Sequence, residues 1–139
     1  MQNYRNLVVW QKGHQLTLDV YRITRNFPKD ELYGLTSQLR RASYSIPSNL
    51  AEGTGKLTDL DFRRFVSIAL GSVNELEYFL FLSYSLNYIS NDEYVKLDAQ
   101  SNEVKRMLLG LINRLGKRII ASVFFISILF LGSLFLLAA

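Results

Sequence analysis

The fold is decided by one stretch of sequence, LTSQLRRASYSIPSNLAEG, which occupies residues 35–53. Its apolar residues follow one another at steps of four, three, four and four, which places them in one stripe on a helix. They are Leu35, Leu39, Ala42, Ile46 and Leu50. Pro47 lies within this stripe, where a proline removes a backbone donor and clashes with the preceding turn. Because the apolar spacing keeps its phase across the proline, we predict one helix that is kinked near Pro47.

The same helical period recurs in three other segments. The first runs from Val8 or Trp10 to Arg25, the third from about Asp59 to Leu86, and the fourth begins after Ser90. Capping boxes mark two of the starts, Thr58 with Asp61 and Ser90 with Glu93. Strand alternation and hairpin turns are absent from the sequence. It therefore predicts an all-α fold, an antiparallel up-down-up-down four-helix bundle.

Two glycines predict specific backbone features. Gly53, followed by Thr54 and Gly55, predicts a helix end with Gly53 in the left-handed conformation. Gly71 falls in the middle of the third helix, where glycine costs about 1 kcal/mol relative to alanine. The usual compensation is the close approach of another backbone. We therefore predict a helix crossing at Gly71 and Ser72.

The end of the third helix carries more aromatic side chains than one bundle core can cover. Between Glu77 and Leu86 the sequence is apolar on nearly all sides of the helix. A large exposed apolar surface marks an interaction site, and the simplest is a contact between identical subunits. The sequence therefore predicts a homo-oligomer.

Several motifs, taken in order, resemble the signature of the bacterial "four helix bundle protein" family. They are VWQ at 9–11, FP at 27–28, YGLTSQLRRA at 33–42, SIPSNLAEG at 45–53 and GSVNELE at 71–77. That family includes proteins encoded in intervening sequences of the large-subunit ribosomal RNA gene, and it is similar to the accessory variability determinant of diversity-generating retroelements. The resemblance covers about the first 115 residues, since members usually end near Gly116. It implies a four-helix bundle, a pentamer, and binding of RNA or DNA by a basic surface.

The composition excludes several kinds of chemistry. Cysteine is absent, which rules out a disulfide framework, a thiolate metal site and a cysteine nucleophile, and which fits a cytoplasmic protein. His14 is the only histidine, and Glu75 and Glu77 lie two apart on a helix and so point to different faces. We therefore predict no catalytic residue, no metal site, no cofactor and no enzymatic activity.

Basic side chains are the one feature that points to a function. Three doublets lie on three different helices, and two further arginines lie near the end of the first helix, close to Lys29. These candidate phosphate contacts are Arg40, Arg41, Arg63, Arg64, Lys105, Arg106, Arg22 and Arg25. The formal charge is only +4, so ordinary solvated helix faces are an alternative interpretation. With the resemblance, the doublets predict backbone-led, salt-sensitive binding of structured RNA or DNA.

Two further interpretations of the function stay open. The chain is alternatively a protein-interaction adaptor, for example for a reverse transcriptase, that does not itself bind nucleic acid. Within the nucleic-acid hypothesis, Tyr44 beside the arginines is a candidate for stacking on an unpaired base, although a packing role fits it equally well.

The apolar segment 119–139 is distinct from the rest of the chain. All charged residues lie at or before Arg118, and 21 residues without charge are long enough to span a bilayer core. Arg114, Lys117 and Arg118 would keep the bundle on the cytoplasmic face, and residues 1–10 lack a secretory signal pattern. We predict a bundle domain of residues 1–118 and an extra apolar C-terminal helix of residues 119–139, a membrane anchor. An atypical end, or an extension of the fourth helix along an oligomer, are the alternatives.

Overall fold

The structure, a computed structural model, describes the backbone of residues 3–137 and the side chains of residues 3–125 and 127. Four long helices form the fold, namely α1 (Val8–Ile23), α2 (Leu35–Thr54), α3 (Asp59–Ser85) and α4 (Asn91–Leu137). Consecutive helices pack antiparallel, and α1 also packs on α4, so the bundle closes. Among the described residues there is no strand. The predicted all-α four-helix bundle is confirmed.

The core is built from the apolar stripes that the sequence predicts. Every member of the stripe on residues 35–53 is buried, and Leu39, Ala42, Ile46 and Leu50 are fully inaccessible. They belong to one cluster with buried side chains of the other three helices. Burial of each large side chain contributes about 1.5–3 kcal/mol, so this stripe fixes which face of α2 turns inward.

The helix ends follow the predicted capping chemistry. The Asp61 backbone N–H donates to the Thr58 hydroxyl at 3.0 Å, and the Ser90 backbone N–H donates to the Glu93 carboxylate at 2.8 Å. After α3, Asn87 adopts a φ of 59°, which asparagine tolerates better than most residues. Its neighbour Tyr88 then donates to the Ser83 carbonyl at 2.9 Å, which satisfies a carbonyl at the helix end.

Helix α2 runs through Pro47 without interruption. The missing N–H of Pro47 leaves the Ser43 carbonyl without its helical donor. The Thr17 hydroxyl of α1 lies 2.9 Å from the Ser43 carbonyl oxygen and 2.9 Å from the Gly13 carbonyl oxygen, so its one proton is shared between them and can take that donor's place. A side chain of the neighbouring helix thus makes the proline tolerable, and the bend at Pro47 stays a prediction.

The structure contradicts both predicted roles of glycine. Gly53 lies inside α2, and no described glycine has a positive φ. A Cβ on Gly53 would lie 2.7 Å from Phe62 Cδ2 and 2.8 Å from Phe65 Cβ, so Gly53 allows the close contact between α2 and α3. Gly71 has no such neighbour within 4 Å and is exposed. Its neighbour Ser72 is buried and its hydroxyl lies 2.8 Å from the Ser45 hydroxyl of α2, so the prediction is wrong for the glycine and right for the serine. The glycine that allows α2 and α3 to approach closely is therefore Gly53, at the end of α2, because the first turns of α3 pack against it there.

The apolar segment 119–139 is helical as far as Leu137, but it continues α4 rather than forming a separate helix. The prediction of a separate, extra helix is therefore wrong. Helix α4 continues because no proline breaks it within residues 119–139 and because Gly116 is accommodated beside the Arg63 side chain. Ile120, Phe124 and Phe125 are between 65% and 70% exposed. Residues 1–2 and 138–139 of the predicted domains lie outside the described backbone, and most of the predicted anchor lies outside the described side chains.

Among the described residues one helix, α3, is long and apolar enough to cross a membrane by length and composition. Eight of its side chains, including Val66, Val73 and Leu76, are buried in the bundle. The core helix of a soluble protein passes the same test, and the buried side chains of α3 belong to the bundle core.

Candidate nucleic-acid interface

Three of the four seams between neighbouring helices are joined by ion pairs. Lys12 pairs with Glu103 at 3.0 Å between α1 and α4. Between α3 and α4 there are two pairs, Lys105 with Glu77 at 2.7 Å and Arg118 with Asp59 at 3.0 Å. Between α2 and α3, Arg41 pairs with Glu75. These cations already have an anionic partner within the bundle.

The α1–α4 seam also contains a buried carboxylate. Asp19 is 4% exposed, accepts a hydrogen bond from Gln100 at 3.0 Å and pairs with Arg22 at 2.5 Å. Burial alone would raise its pKa, but the hydrogen bonds from Gln100 and Gln15 and the charges of Lys96 and Arg22 outweigh burial and lower the pKa. Asp19 therefore stays ionised at neutral pH and holds its cations in place.

The α1–α2 seam differs, because no ion pair joins these two helices among the described residues. Thr17 contacts the Ser43 carbonyl across it. Gly13 lets the two helices approach, since a Cβ on Gly13 would lie 3.1 Å from Ile46 Cγ2. Close backbone packing, rather than charge, holds this seam.

Arg40 stands at one end of the α1–α2 seam and has no carboxylate partner within 4.0 Å in the described part of the chain. Its Nε donates to the Thr24 hydroxyl at 2.8 Å. Its guanidinium lies 4.8 Å from the centroid of the Tyr21 ring, a cation–π distance. Since these contacts orient Arg40 without neutralising it, its terminal N–H groups remain available to an anion.

Arg40 lines a cavity of about 510 Å³ between the α1–α2 connection and the start of α2. We call it the basic cavity, because Arg25 and Lys29 also line it and no acidic side chain does. Neither Arg25 nor Lys29 has an ion-pair partner among the described residues. Three cations without an ion-pair partner among the described residues therefore line one cavity.

A second cavity of about 500 Å³ runs along the outside of the α1–α2 seam. We call it the aromatic groove, because five ring side chains line it, namely Tyr4, Trp10, His14, Tyr21 and Tyr44. Trp10 and His14 stack with their planes 8° apart and their centroids 5.2 Å apart. Tyr21 lines the groove and contacts Arg40, which lines the basic cavity. The two cavities are therefore neighbours across the contact between Tyr21 and Arg40.

The structure does not gather the eight predicted basic residues into one patch. Arg25 and Arg40 share the basic cavity, whereas Arg22, Arg41 and Lys105 are ion-paired. The remaining three are exposed on α3 and α4 and have no ion-pair partner among the described residues, namely Arg63, Arg64 and Arg106.

Sequence reasoning missed part of this arrangement. The sequence pattern does not assign Lys29 to the site, and of the groove it indicates only Tyr44. A signal for it exists, since Trp10, His14 and Tyr21 recur at helical spacing on α1. No group of three or more His, Cys, Asp or Glu side chains that could hold a metal ion occurs within the described residues.

The fold and the α1–α2 seam together define the class of protein. It is an antiparallel four-helix bundle with a basic cavity, free of acidic side chains, beside an aromatic groove. Residues 5–110 match the sequence model of the 23S rRNA-intervening sequence protein family, and the chain belongs to that family. The resemblance found in the motifs is confirmed. None of the curated proteins matches the chain.

Solved structures also match the chain. One is a protein of unknown function from the S23 ribosomal protein family of Bacteroides thetaiotaomicron VPI-5482. It is 27% identical, with a TM-score of 0.69, over 76% of this chain and 98% of that one. The similarity therefore covers nearly all of that protein.

Proposed function

We propose that this protein is a non-enzymatic, oligomeric four-helix bundle that binds structured RNA or DNA. Membership of a family named for intervening sequences of 23S ribosomal RNA supports the proposal. The observation that carries it is the basic cavity, where Arg25, Lys29 and Arg40 line one space without a carboxylate. Phosphate groups are the anions that every strand of nucleic acid presents.

Binding of this kind is led by the nucleic-acid backbone. Guanidinium groups bind phosphate through paired donors, and each phosphate contact releases counterions, so affinity falls as salt rises. Exposed Arg63, Arg64 and Arg106 carry further positive charge on α3 and α4, apart from the basic cavity. Repetition of these groups around an oligomer would strengthen binding without a highly charged monomer.

The proposed oligomer uses the outer face of α3. Tyr78 and Phe81 on that face are 59% and 54% exposed, and Ile68 is 45% exposed. A subunit contact of standard size covers about 800 Å² on each partner, which is enough to bury these rings. The resemblance suggests five subunits, and sedimentation of the full chain in detergent measures the number.

The same exposed rings favour a second candidate function, a protein-interaction adaptor that binds no nucleic acid itself. Aromatic side chains are enriched in protein interfaces, and a reverse transcriptase is one candidate partner. The adaptor predicts a complex with a partner protein that depends on Tyr78 and Phe81 and an RNA affinity that is negligible at physiological salt.

We also propose a cytoplasmic location, with segment 119–139 as an anchor on the cytoplasmic face of the membrane. The exposure of Ile120, Phe124 and Phe125 leaves an apolar helix surface that water does not favour. Ile128→Arg with Leu129→Arg should move the protein from the membrane pellet to the soluble fraction, since each mid-bilayer arginine costs about 2.5–3.5 kcal/mol. Wild type that is soluble after carbonate washing would contradict the anchor.

A salt titration tests the main proposal. The full chain, in nonionic detergent, is titrated with labelled structured RNA between about 50 and 200 mM salt. The variant Arg25→Gln/Lys29→Gln/Arg40→Gln should bind more weakly, and its slope of log affinity against log salt should be shallower, by about one per lost phosphate contact.

The matched control removes three charges that are already ion-paired, Lys12→Gln/Lys96→Gln/Arg118→Gln. Both variants have the same net charge, so a larger loss in the basic-cavity variant reports position rather than total charge. Equal losses would contradict the cavity assignment. Absence of salt-dependent RNA binding by wild type would contradict the function and favour the adaptor.

A further inference from the structure

We infer that the aromatic groove binds unpaired bases of the same strand whose phosphates bind in the basic cavity, so that the ligand is single-stranded or looped nucleic acid. This inference rests on the proposed function and specifies its substrate class. It adds a second kind of contact, stacking on rings, to the phosphate contacts already described.

The groove already contains one stacked pair of rings, and two further rings are partly exposed. Trp10 stacks on His14, and Tyr4 lies 5.0 Å from Trp10 with the two planes at 59°. Tyr44 is 45% exposed and Tyr21 is 39% exposed, so part of each ring remains uncovered. Stacking of a base on an aromatic side chain contributes about 1–3 kcal/mol and tolerates any base, because every base has a π-face.

Aromatic side chains bind many kinds of apolar or planar ligand, but the positive charge beside this groove favours an anionic one such as nucleic acid. An arginine lies over the tyrosine at each end of the groove, Arg40 over Tyr21 at 4.8 Å and Arg5 over Tyr4 at 5.1 Å. No acidic side chain lines the groove or the basic cavity. The groove therefore places ring side chains between two cations, which suits a strand that carries both bases and phosphates.

The dimensions fit a strand rather than a single base. Trp10 and Tyr21 are eleven residues apart on α1, which is about 16 Å along a helix. A duplex hides its base faces within the stack, and side chains reach only its grooves and backbone. The groove should therefore discriminate in favour of unpaired segments, whereas the basic cavity alone should bind duplex and single strand alike.

The chain carries its own reporter for this inference. Trp10 is the only tryptophan and lies in the groove, so intrinsic fluorescence reports events there. The full chain in nonionic detergent is titrated with short oligouridylate and, separately, with a duplex RNA of equal length. We expect saturable quenching of Trp10 by oligouridylate and much weaker quenching by the duplex.

Tyr44 is the residue to change, because it lines the groove and neither the ion pairs nor the ring contacts of the described residues involve it. Tyr44→Leu should lower the affinity for oligouridylate at least about fivefold, from the loss of one stacking ring, and leave the duplex affinity within twofold. Tyr44→Phe keeps the ring and should bind as wild type does. Tyr33→Leu is the matched control, since Tyr33 is exposed and lies outside both cavities.

The outcomes separate this inference from the function on which it rests. Single-strand preference that Tyr44→Leu abolishes and Tyr44→Phe restores supports the inference. RNA binding without Trp10 quenching, or with equal affinity in Tyr44→Leu, overturns the groove assignment and leaves backbone-led binding intact. Trp10 fluorescence that changes with protein concentration in the absence of RNA shows a second copy of the chain in the groove, which also overturns it. No binding of either RNA overturns the proposed function itself.

Discussion

Arg40 and Arg41 are neighbours in the chain but lie on two different sides of the bundle. Arg41 reaches α3 and pairs with Glu75, whereas Arg40 turns toward α1, where it contacts a hydroxyl and a tyrosine ring. The α1–α2 seam contains no ion pair among the described residues, and each of the other three does. A basic residue is therefore available for binding according to the seam it faces, not according to its place in a doublet.

The largest effect on stability is expected at the α1–α4 seam. Asp19→Asn removes a buried charge that accepts hydrogen bonds from Arg22 and Gln100, so we expect a loss of about 2–3 kcal/mol at pH 7 in urea unfolding. Asp30→Asn, on an exposed turn, is the control and should change stability by less than about 0.5 kcal/mol.

The same variant gives a pH dependence with a definite sign. The pKa of Asp19 is lowered in the folded protein, so its contribution is present above the unfolded value of about 3.9 and is lost as the pH falls through the folded value. The difference between wild type and Asp19→Asn should therefore shrink below about pH 4. A difference that is constant from pH 7 to the acid limit would refute this account of Asp19.

The α2–α3 seam should be sensitive to a single methyl group. Gly53→Ala would place a Cβ within 2.8 Å of Phe62 and Phe65, so we expect a loss of about 1–3 kcal/mol from overpacking. Gly71→Ala is the matched control, because Gly71 has open space around it. Gly71→Ala should raise the free energy of unfolding by about 0.5–1 kcal/mol through helix propensity. A destabilisation as large as that of Gly53→Ala would show that the contact of Gly53 with Phe62 and Phe65 is misassigned.

The α1–α2 seam should depend on one hydroxyl. Thr17→Val leaves the buried Ser43 carbonyl without a donor, which costs about 1–2 kcal/mol in unfolding free energy. Pro47→Ala restores the helical N–H that the proline lacks. The cost of Thr17→Val should therefore be smaller in the Pro47→Ala background, and strictly additive effects in this double-mutant cycle would exclude the compensation.

The sequence predicts those features that depend on neighbours along the chain. The apolar stripe of residues 35–53 and the caps at Thr58 and Ser90 involve residues three or four apart, so helical period and capping rules suffice. The role of Gly53 depends on its contacts with Phe62 and Phe65 of the neighbouring helix, and no local sequence pattern specifies those contacts.

The candidate site depends still more on contacts between helices. Arg41 and Glu75 are 34 residues apart, and nothing in the doublet reveals that only one of its arginines is neutralised. The aromatic groove arises because α1 and α2 bring Trp10 and Tyr44 to one surface. Such features follow from the packing of one helix on another, which the motifs do not encode residue by residue.

The most direct test of the account compares single replacements of the two neighbouring arginines. Arg40→Gln and Arg41→Gln remove the same charge from adjacent positions, and their RNA affinities are measured against salt beside wild type. We expect Arg40→Gln to lower the RNA affinity and to reduce the salt slope by about one. Arg41→Gln should reduce both the affinity and the slope less, and Arg40→Lys should keep the slope of wild type. An equal or larger loss in Arg41→Gln would contradict the claim that the side of the bundle decides which arginine binds.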